Sequence, residues 1–232
     1  MPRRLYLARH GETESNLLKI IEGRSGGVFP GRGSPLNHNG WLQAVSLGHA
    51  LAEVKINCVY MSPARRAVET ADQICLWTNV DNMPLKRSIV RDLVEINFGI
   101  LEGLNGKKAR EKYPDLYKIY DEKPSQTVFP EGESVLGAYN RVSRAIIKIL
   151  AGHTLNENIL IVSHGAVMTF IFVHIFKLDL DNMFYAIRHH NCGLSIIEWE
   201  NPDNPRIVCM NDISHLKSEH TQRLKRVSEF QF

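Results

Sequence analysis

Two histidines in this chain share a local context, because each follows an apolar run and precedes a glycine. Arg9 and His10 come directly after the apolar residues 5–8, and His164 closely follows the apolar run 159–162. An imidazole can be a nucleophile, a general acid or base, or a metal ligand. The pair therefore leaves three interpretations open: turn residues with a structural role, a metal site, or chemistry on a bound group.

The cation beside the first histidine argues against a metal. Arg9 would repel a divalent ion held by His10, whereas a guanidinium matches phosphate oxygens in both shape and charge. A phosphate ester carries about −1.5 to −2 charge at pH 7, which arginines and imidazoles together could offset. Because the strand–His–Gly pattern occurs twice, a phosphate site is favoured over the other two interpretations.

Short apolar runs alternate with amphipathic stretches along the chain. The hydrophobic spacing predicts strands at residues 3–8, 57–61, 85–90, 159–162, 194–199 and 206–210. It predicts helices at residues 37–54, 62–75, 107–122 with a break at Pro114, 133–150 and 166–176. This alternation indicates an α/β fold with a mainly parallel sheet.

A third polar group follows a predicted strand. Residues 62–66 read Ser-Pro-Ala-Arg-Arg and come directly after the strand at 57–61. Ligands of open α/β sheets bind at the carboxyl ends of the strands, where helix N-termini also favour anions. We therefore expect both histidines and at least one of these arginines to meet in one cleft.

The composition is that of an ordinary globular protein. The chain has 232 residues and a formal net charge of +3, and no basic stripe suggests nucleic-acid binding. Residues 159–176 carry no formal charge, but a Ser-His-Gly turn interrupts them, so a buried strand and helix are favoured over a membrane span. The four cysteines lack a CxxC spacing, which predicts free thiols in a reducing, cytoplasmic location.

Several ordered motifs carry a resemblance to a known family. They read LARHGETESN at 7–16, SPARRAVETA at 62–71, LVEINFGILEG at 93–103, PEGES at 130–134, VSHGAV at 162–167 and NDISHL at 211–216. This set resembles the histidine phosphatase superfamily, also called phosphoglycerate mutase-like. The resemblance implies a three-layer α/β/α fold with a mainly parallel central sheet, a catalytic domain at 1–216 and a tail at 217–232.

The resemblance also implies roles for particular side chains. His10 would take the phosphoryl group as a phosphohistidine, and Glu95 would act as general acid and then as general base. The remaining groups would hold the phosphate oxygens: Arg9, Asn16, Arg66 and His164. Arg9, Arg66 and His164 would also offset charge in the transition state. No metal or other cofactor is implied.

Two residues compete for the role of the phosphate-binding arginine, and two for the role of the acid. Arg66 is preferred to Arg65 because it directly precedes Ala67, as the functional arginine of the family precedes an alanine. Glu95 precedes an apolar-Asn-Phe-Gly stretch as the acid of the family does, whereas Glu102 is expected to hold loop structure.

Some residues are given other expectations. Glu133 is expected to cap the helix at 133–150, and His189 and His190 are left as candidates for lining the cleft. Many family members have Gln-Gly where this chain has Glu22-Gly23. Substrate contacts of the Gly-rich loop at 23–35 are therefore not carried over.

The length of one segment bears on the activity. Mutases of this family carry a longer insert between the FGxxEG motif and the second His motif than residues 103–130 provide here. A phosphatase acting on a small-molecule phosphate ester is therefore favoured over a cofactor-dependent phosphoglycerate mutase. A non-catalytic binding or regulatory module is the third alternative. We expect a monomer or homodimer with no membrane or nucleic-acid partner.

Overall fold

A single six-stranded sheet lies at the centre of the residues that the structure describes. This computed structural model describes residues 3–24, 31, 33–78, 85–201 and 204–216. The strands are β1 (Arg3–Arg9), β2 (Cys58–Met61), β3 (Lys86–Ile89), β4 (Asn158–Ser163), β5 (Leu194–Trp199) and β6 (Pro205–Asp212). Their order is β3-β2-β4-β1-β5-β6. The strands β1 to β4 pair in parallel, and β5 pairs antiparallel with both β1 and β6. Five of the six strands therefore run in the same direction, and the expected mainly parallel sheet is confirmed.

The predicted helices lie close to their expected positions. In chain order the helices are α1 (Glu14–Leu17), α2 (His38–Ala50), α3 (Arg65–Thr78), α4 (Gly106–Lys112), α5 (Pro114–Glu122), α6 (Val135–Ala151), α7 (Gly165–Phe176) and α8 (Leu180–Met183). Two short helices, α1 and α8, were not predicted. Pro114 separates α4 from α5 as predicted. The helix predicted from residue 62 begins only at Arg65, because Ser62 to Ala64 form a turn in which the Ser62 hydroxyl accepts the Ala64 N–H at 3.3 Å.

Alternate residues of the central strands face two separate cores. Leu5 and Leu7 of β1 pack into a core shared with α6 and α7. Tyr6 and Ala8 point to the opposite face, into a core shared with α2 and α3. Side chains that alternate along a strand point to opposite faces, so helices cover both sides. The arrangement is the expected three-layer α/β/α fold.

The uncharged stretch 159–176 forms a buried strand and a buried helix. β4 is buried along most of its length, and α7 has apolar residues on all sides because it packs between the sheet and other helices. None of the helices in the described part of the chain is long and apolar enough to cross a membrane.

Two predicted segments lie partly or wholly outside the described residues. Of the Gly-rich loop at 23–35, residues 25–30 and 32 are not described, and neither is the predicted tail at 217–232. Residues 202 and 203, between the last two strands, are likewise outside.

Candidate active site

The carboxyl ends of β1 and β4 bring the two histidines together. His10 directly follows β1, and its backbone N–H donates to the carbonyl of Ser163, the last residue of β4, at 2.9 Å. The ring centroids of His10 and His164 lie 5.2 Å apart in an edge-to-face arrangement. A Cβ on Gly11 would lie 2.4 Å from the Gly40 carbonyl oxygen, so glycine is required for α2 to approach this turn.

Arg66 connects both imidazoles to each other. This side chain extends from the first turn of α3, and the residue is 1% exposed. Its Nε donates to His10 Nε2 at 3.2 Å, and its Nη2 donates to His164 Nδ1 at 3.2 Å and to the Gly23 carbonyl at 2.8 Å. Its Nη1 donates to Glu22 Oε1 at 2.8 Å. One buried guanidinium therefore sets the relative positions of both rings.

The hydrogen bonds assign the protonated nitrogen of each ring. A guanidinium only donates, so the ring nitrogens that face Arg66 must be acceptors. In His10 the proton is then on Nδ1, which donates to the Gly11 carbonyl at 2.7 Å. In His164 it is on Nε2, which donates to the Ser62 hydroxyl at 2.7 Å. His10 thus carries its unprotonated electron pair on Nε2, where it accepts the Arg66 Nε–H.

Both rings are held in the neutral form. Burial lowers the pKa of His10 well below its ordinary value, and the charges of Arg66 and Arg9 lower it further. The pKa of His164 is also lowered well below its ordinary value, first by burial and then by Arg66. A nitrogen nucleophile needs an unprotonated electron pair, and these surroundings maintain it on His10.

Arg9 presents a buried donor beside the two histidines. Its Nη1 donates to the His189 carbonyl at 2.7 Å, while its Nε is buried and has no hydrogen-bond partner among the described residues. A Cβ on Gly165 would lie 3.9 Å from this Nε, which places the donor at the start of α7. The ring of His189 stacks on Phe172, with the ring centroids 6.0 Å apart.

The amide of Asn16 is oriented by two donors. Its Oδ1 accepts the Thr13 N–H at 3.2 Å and a hydrogen from Asn191 Nδ2 at 3.0 Å. Asn191 Nδ2 also donates to the His10 carbonyl at 3.0 Å. Because Oδ1 is engaged by these donors, the Nδ2 of Asn16 remains to serve as a donor to a ligand. Asn191 was not predicted from the sequence, and no local pattern marks it.

Replacing Asn191 with Asp should destabilise the protein. The carboxylate would face the Asn16 and His10 oxygens, so the free energy of unfolding should fall by about 1–3 kcal/mol. Chemical denaturation measures the effect, and Asn140→Asp on the exposed face of α6 is the control. Equal stability of the Asn191→Asp variant and the wild-type protein would contradict the assigned amide orientation.

Glu95 lies beside the N-terminus of α7. Its Oε1 accepts the Ile96 N–H at 2.9 Å, and its Oε2 lies 3.4 Å from the donating Ala166 N–H. Burial raises the pKa of this carboxyl, while the Ile96 hydrogen bond and the charges of Arg66 and Arg9 oppose the shift. A raised pKa keeps the carboxyl protonated to higher pH than an exposed glutamate, as a general acid requires.

A partly buried ion-pair network anchors the loop that carries Glu95. Glu133 Oε1 accepts from Arg24 Nη2 and from Arg141 Nη2, each at 2.8 Å. The same arginines donate to the Glu95 carbonyl at 3.2 Å and 3.0 Å. The expectation that Glu133 caps α6 is wrong, because its side chain is drawn into these ion pairs and Ser134 provides the cap.

The contacts of the side chains separate the competing assignments at the two other motifs. Arg65 is exposed and pairs with Glu69 one turn along α3, so it lies away from the histidines. Glu102 Oε1 accepts the Arg24 and Phe98 N–H groups at 2.9 Å and 3.1 Å, which agrees with a loop-holding role. Of the competing candidates at these two motifs, Arg66 therefore contacts both histidines, and Glu95 lies beside the start of α7, which follows His164.

Comparison with known proteins identifies the family. The family model described as histidine phosphatase superfamily (branch 1) matches residues 5–213. Phosphoserine phosphatase 1 of Hydrogenobacter thermophilus is 28% identical over 97% of this chain and 99% of its own length. Metal-independent phosphoserine phosphatase of Arabidopsis thaliana is 32% identical over 92% of this chain and 83% of its own. The solved structure of Bacillus stearothermophilus YhfR matches with a TM-score of 0.80 and 26% identity, covering 93% of this chain and all of that one. These relatives support a phosphoric monoester hydrolase, and the chain belongs to the histidine phosphatase superfamily.

Proposed function

We propose that this chain hydrolyses small phosphate monoesters in two steps, through a phosphohistidine at Nε2 of His10. The observation that carries the proposal is the pair of neutral imidazoles joined by Arg66, in which the unprotonated Nε2 of His10 faces the guanidinium. A phosphate group bound at the guanidinium would have its phosphorus next to this nitrogen.

In the first step, His10 Nε2 forms a bond to phosphorus while the bond from phosphorus to the ester oxygen breaks. The leaving oxygen takes the proton of Glu95, so the alcohol departs uncharged. Dividing hydrolysis in this way replaces one difficult displacement with two easier ones. The proton on Nδ1 of His10 is held by the Gly11 carbonyl, which stabilises the charge that develops on the ring.

The oxygens of the transferring group would be held by the donors that surround it. Arg66 offers its guanidinium, Arg9 its unpartnered Nε, and Asn16 the Nδ2 that Asn191 leaves available. Phosphoryl transfer depends mainly on positioning and on stabilising charge that shifts between oxygens. His164 supports this arrangement through its hydrogen bond with Arg66.

In the second step, water attacks phosphorus and the bond to His10 Nε2 breaks. Glu95, now ionised, takes a proton from the water as its oxygen bonds to phosphorus, which regenerates the acid for the next cycle. Inorganic phosphate then leaves. One carboxyl group thus acts in both directions, and a pKa shifted towards the working pH suits both roles.

Phosphoserine is the substrate we propose to test first, because two of the relatives are named phosphoserine phosphatases. Purified protein should release phosphate from phosphoserine and from p-nitrophenyl phosphate. Excess chelator should leave the rate unchanged, because a guanidinium between the histidines repels a divalent ion. Complete loss of activity with chelator and recovery with added metal would overturn the metal-independent mechanism.

One assay separates the phosphatase from the alternatives. Given 3-phosphoglycerate with a trace of 2,3-bisphosphoglycerate, a phosphatase releases inorganic phosphate and a mutase forms 2-phosphoglycerate. A binding module would turn over none of the esters while still binding phosphate. Release of inorganic phosphate from at least one ester, without isomerisation, is the expected result.

The proposal extends to the bounds of the catalytic domain and to the location of the protein in the cell. We place the catalytic domain at residues 1–216, which is supported by the family match to 5–213 and by the buried Leu216. A cytoplasmic location is supported by the four cysteines, all of which are free thiols.

A further inference from the structure

A carboxylate is buried against the arginine of the candidate phosphate site. The side chains of Arg66 and Glu22 are 2% and 6% exposed, and they pair through Nη1 and Oε1 at 2.8 Å. The second oxygen of Glu22 accepts the Thr13 hydroxyl at 3.2 Å. An acidic group in this position is unexpected, because it repels the anion that the neighbouring cations would attract.

The ion pair offsets part of the charge that Arg66 can offer to a phosphate. A phosphate bound on the open side of the guanidinium would lie close enough to the Glu22 carboxylate to be repelled, and screening by water is weak at a buried pair. The repulsion acts most strongly on a dianion, which is the form of inorganic phosphate that hydrolysis produces near neutral pH.

We propose that Glu22 weakens the hold of the site on phosphate dianions and thereby sets how readily inorganic phosphate leaves. This inference rests on the proposed role of Arg66 as a phosphate ligand. Glu22 acts through Arg66 and is a positioning residue, whose distinctive contribution is its charge.

The surrounding contacts allow charge and alignment to be tested separately. Arg66 is also fixed by the Gly23 carbonyl and by both histidines, so its position does not depend on Glu22 alone. A glutamine at position 22 would retain an oxygen to accept from Nη1 and would lose the negative charge. Its amide nitrogen would replace the oxygen that accepts the Thr13 hydroxyl, and this hydroxyl would then turn to accept instead. An aspartate would retain the charge, but its shorter side chain would hold the carboxylate farther from Arg66.

Glu22→Gln should therefore bind inorganic phosphate about tenfold more tightly than the wild-type protein. We expect the competitive inhibition constants of phosphate and orthovanadate to fall together with the KM for phosphoserine, while kcat changes less than about threefold. The inhibition constants for Glu22→Asp should stay within about threefold of wild type. Glu69→Gln removes a charge from the exposed ion pair with Arg65 on α3, and the inhibition constants of this variant should equal those of the wild-type protein.

Unchanged or weaker phosphate binding by Glu22→Gln would overturn the proposal, and so would an equal response in Glu22→Asp. If Glu22→Gln does not fold, the charge contrast is available from Glu22→Asn against Glu22→Asp, where the amide variant should bind about tenfold more tightly. Titration calorimetry with inorganic phosphate gives the affinities without turnover. Failure of the proposed hydrolysis is therefore distinguishable from failure of this inference.

Discussion

Replacing His10 with Ala is expected to lower kcat/KM for phosphoserine by at least about 10³-fold, because the residue that forms the covalent bond is removed. The acid-labile phosphoryl label that wild-type protein acquires from radioactive substrate should disappear as well. Quenched-flow labelling measures the intermediate, and a continuous phosphate-release assay measures turnover. Loss of both signals together is the expected outcome, since each depends on the same nitrogen.

The matched control is His38→Ala, on the exposed first residue of α2. It should retain full activity and full labelling. Thermal unfolding of both variants shows whether the fold survives loss of the bond between His10 Nδ1 and the Gly11 carbonyl. If a folded His10→Ala variant is still labelled, the nucleophile lies elsewhere, and the neighbouring imidazole of His164 is the next candidate.

Replacing Glu95 with Gln should slow hydrolysis of phosphoserine by roughly 10²–10⁴-fold, the usual contribution of a positioned acid or base. The alkoxide of serine is a poor leaving group and needs a proton, whereas p-nitrophenolate leaves without one. With p-nitrophenyl phosphate the variant should therefore release a burst of nitrophenol. The phosphoenzyme should then accumulate, because water attack lacks its base. Similar losses on both substrates, with no burst, would argue against Glu95 as the proton donor.

The pH profile offers a second measure of the same group. Burial raises the pKa of Glu95, so its acid form persists to higher pH than that of an exposed glutamate. In the wild-type protein, kcat/KM for phosphoserine should fall as pH rises through this raised pKa. In the Glu95→Gln variant, this fall in kcat/KM with rising pH should be absent. Glu111→Gln, on the exposed side of α4, should keep the wild-type profile.

The fold was predictable because its main determinants are local patterns. Apolar runs at β1 and β4 and amphipathic periodicity at α2 and α6 predict elements within a few residues of those observed. The three groups that contain Arg9-His10, Arg66 and His164 could be predicted because each follows a strand. The carboxyl ends of parallel strands lie at one edge of a sheet.

Residues that act through distant partners were missed or assigned wrongly. An acid at the start of a helix favours a capping role, but Glu133 pairs with Arg24, 109 positions away, and with Arg141, eight positions further along in α6. Asn191 bonds to Asn16, and these residues are 175 positions apart. Glu22 was seen as a departure from the family, yet its pairing with Arg66 depends on how the chain folds back onto α3. Such pairings leave no periodic signal in the sequence.

The placement of β1 has a consequence for biosynthesis. This strand lies between β4 and β5, and both are translated long after it. It therefore has no partner strand until synthesis has reached Ser163, the end of β4. A nascent chain that ends before β4 carries His10 and Arg66 but cannot bring them to their final geometry. Long-range parallel pairing is slow to form and leaves apolar strands unprotected. The emerging polypeptide should therefore depend on chaperones until most of it has left the ribosome.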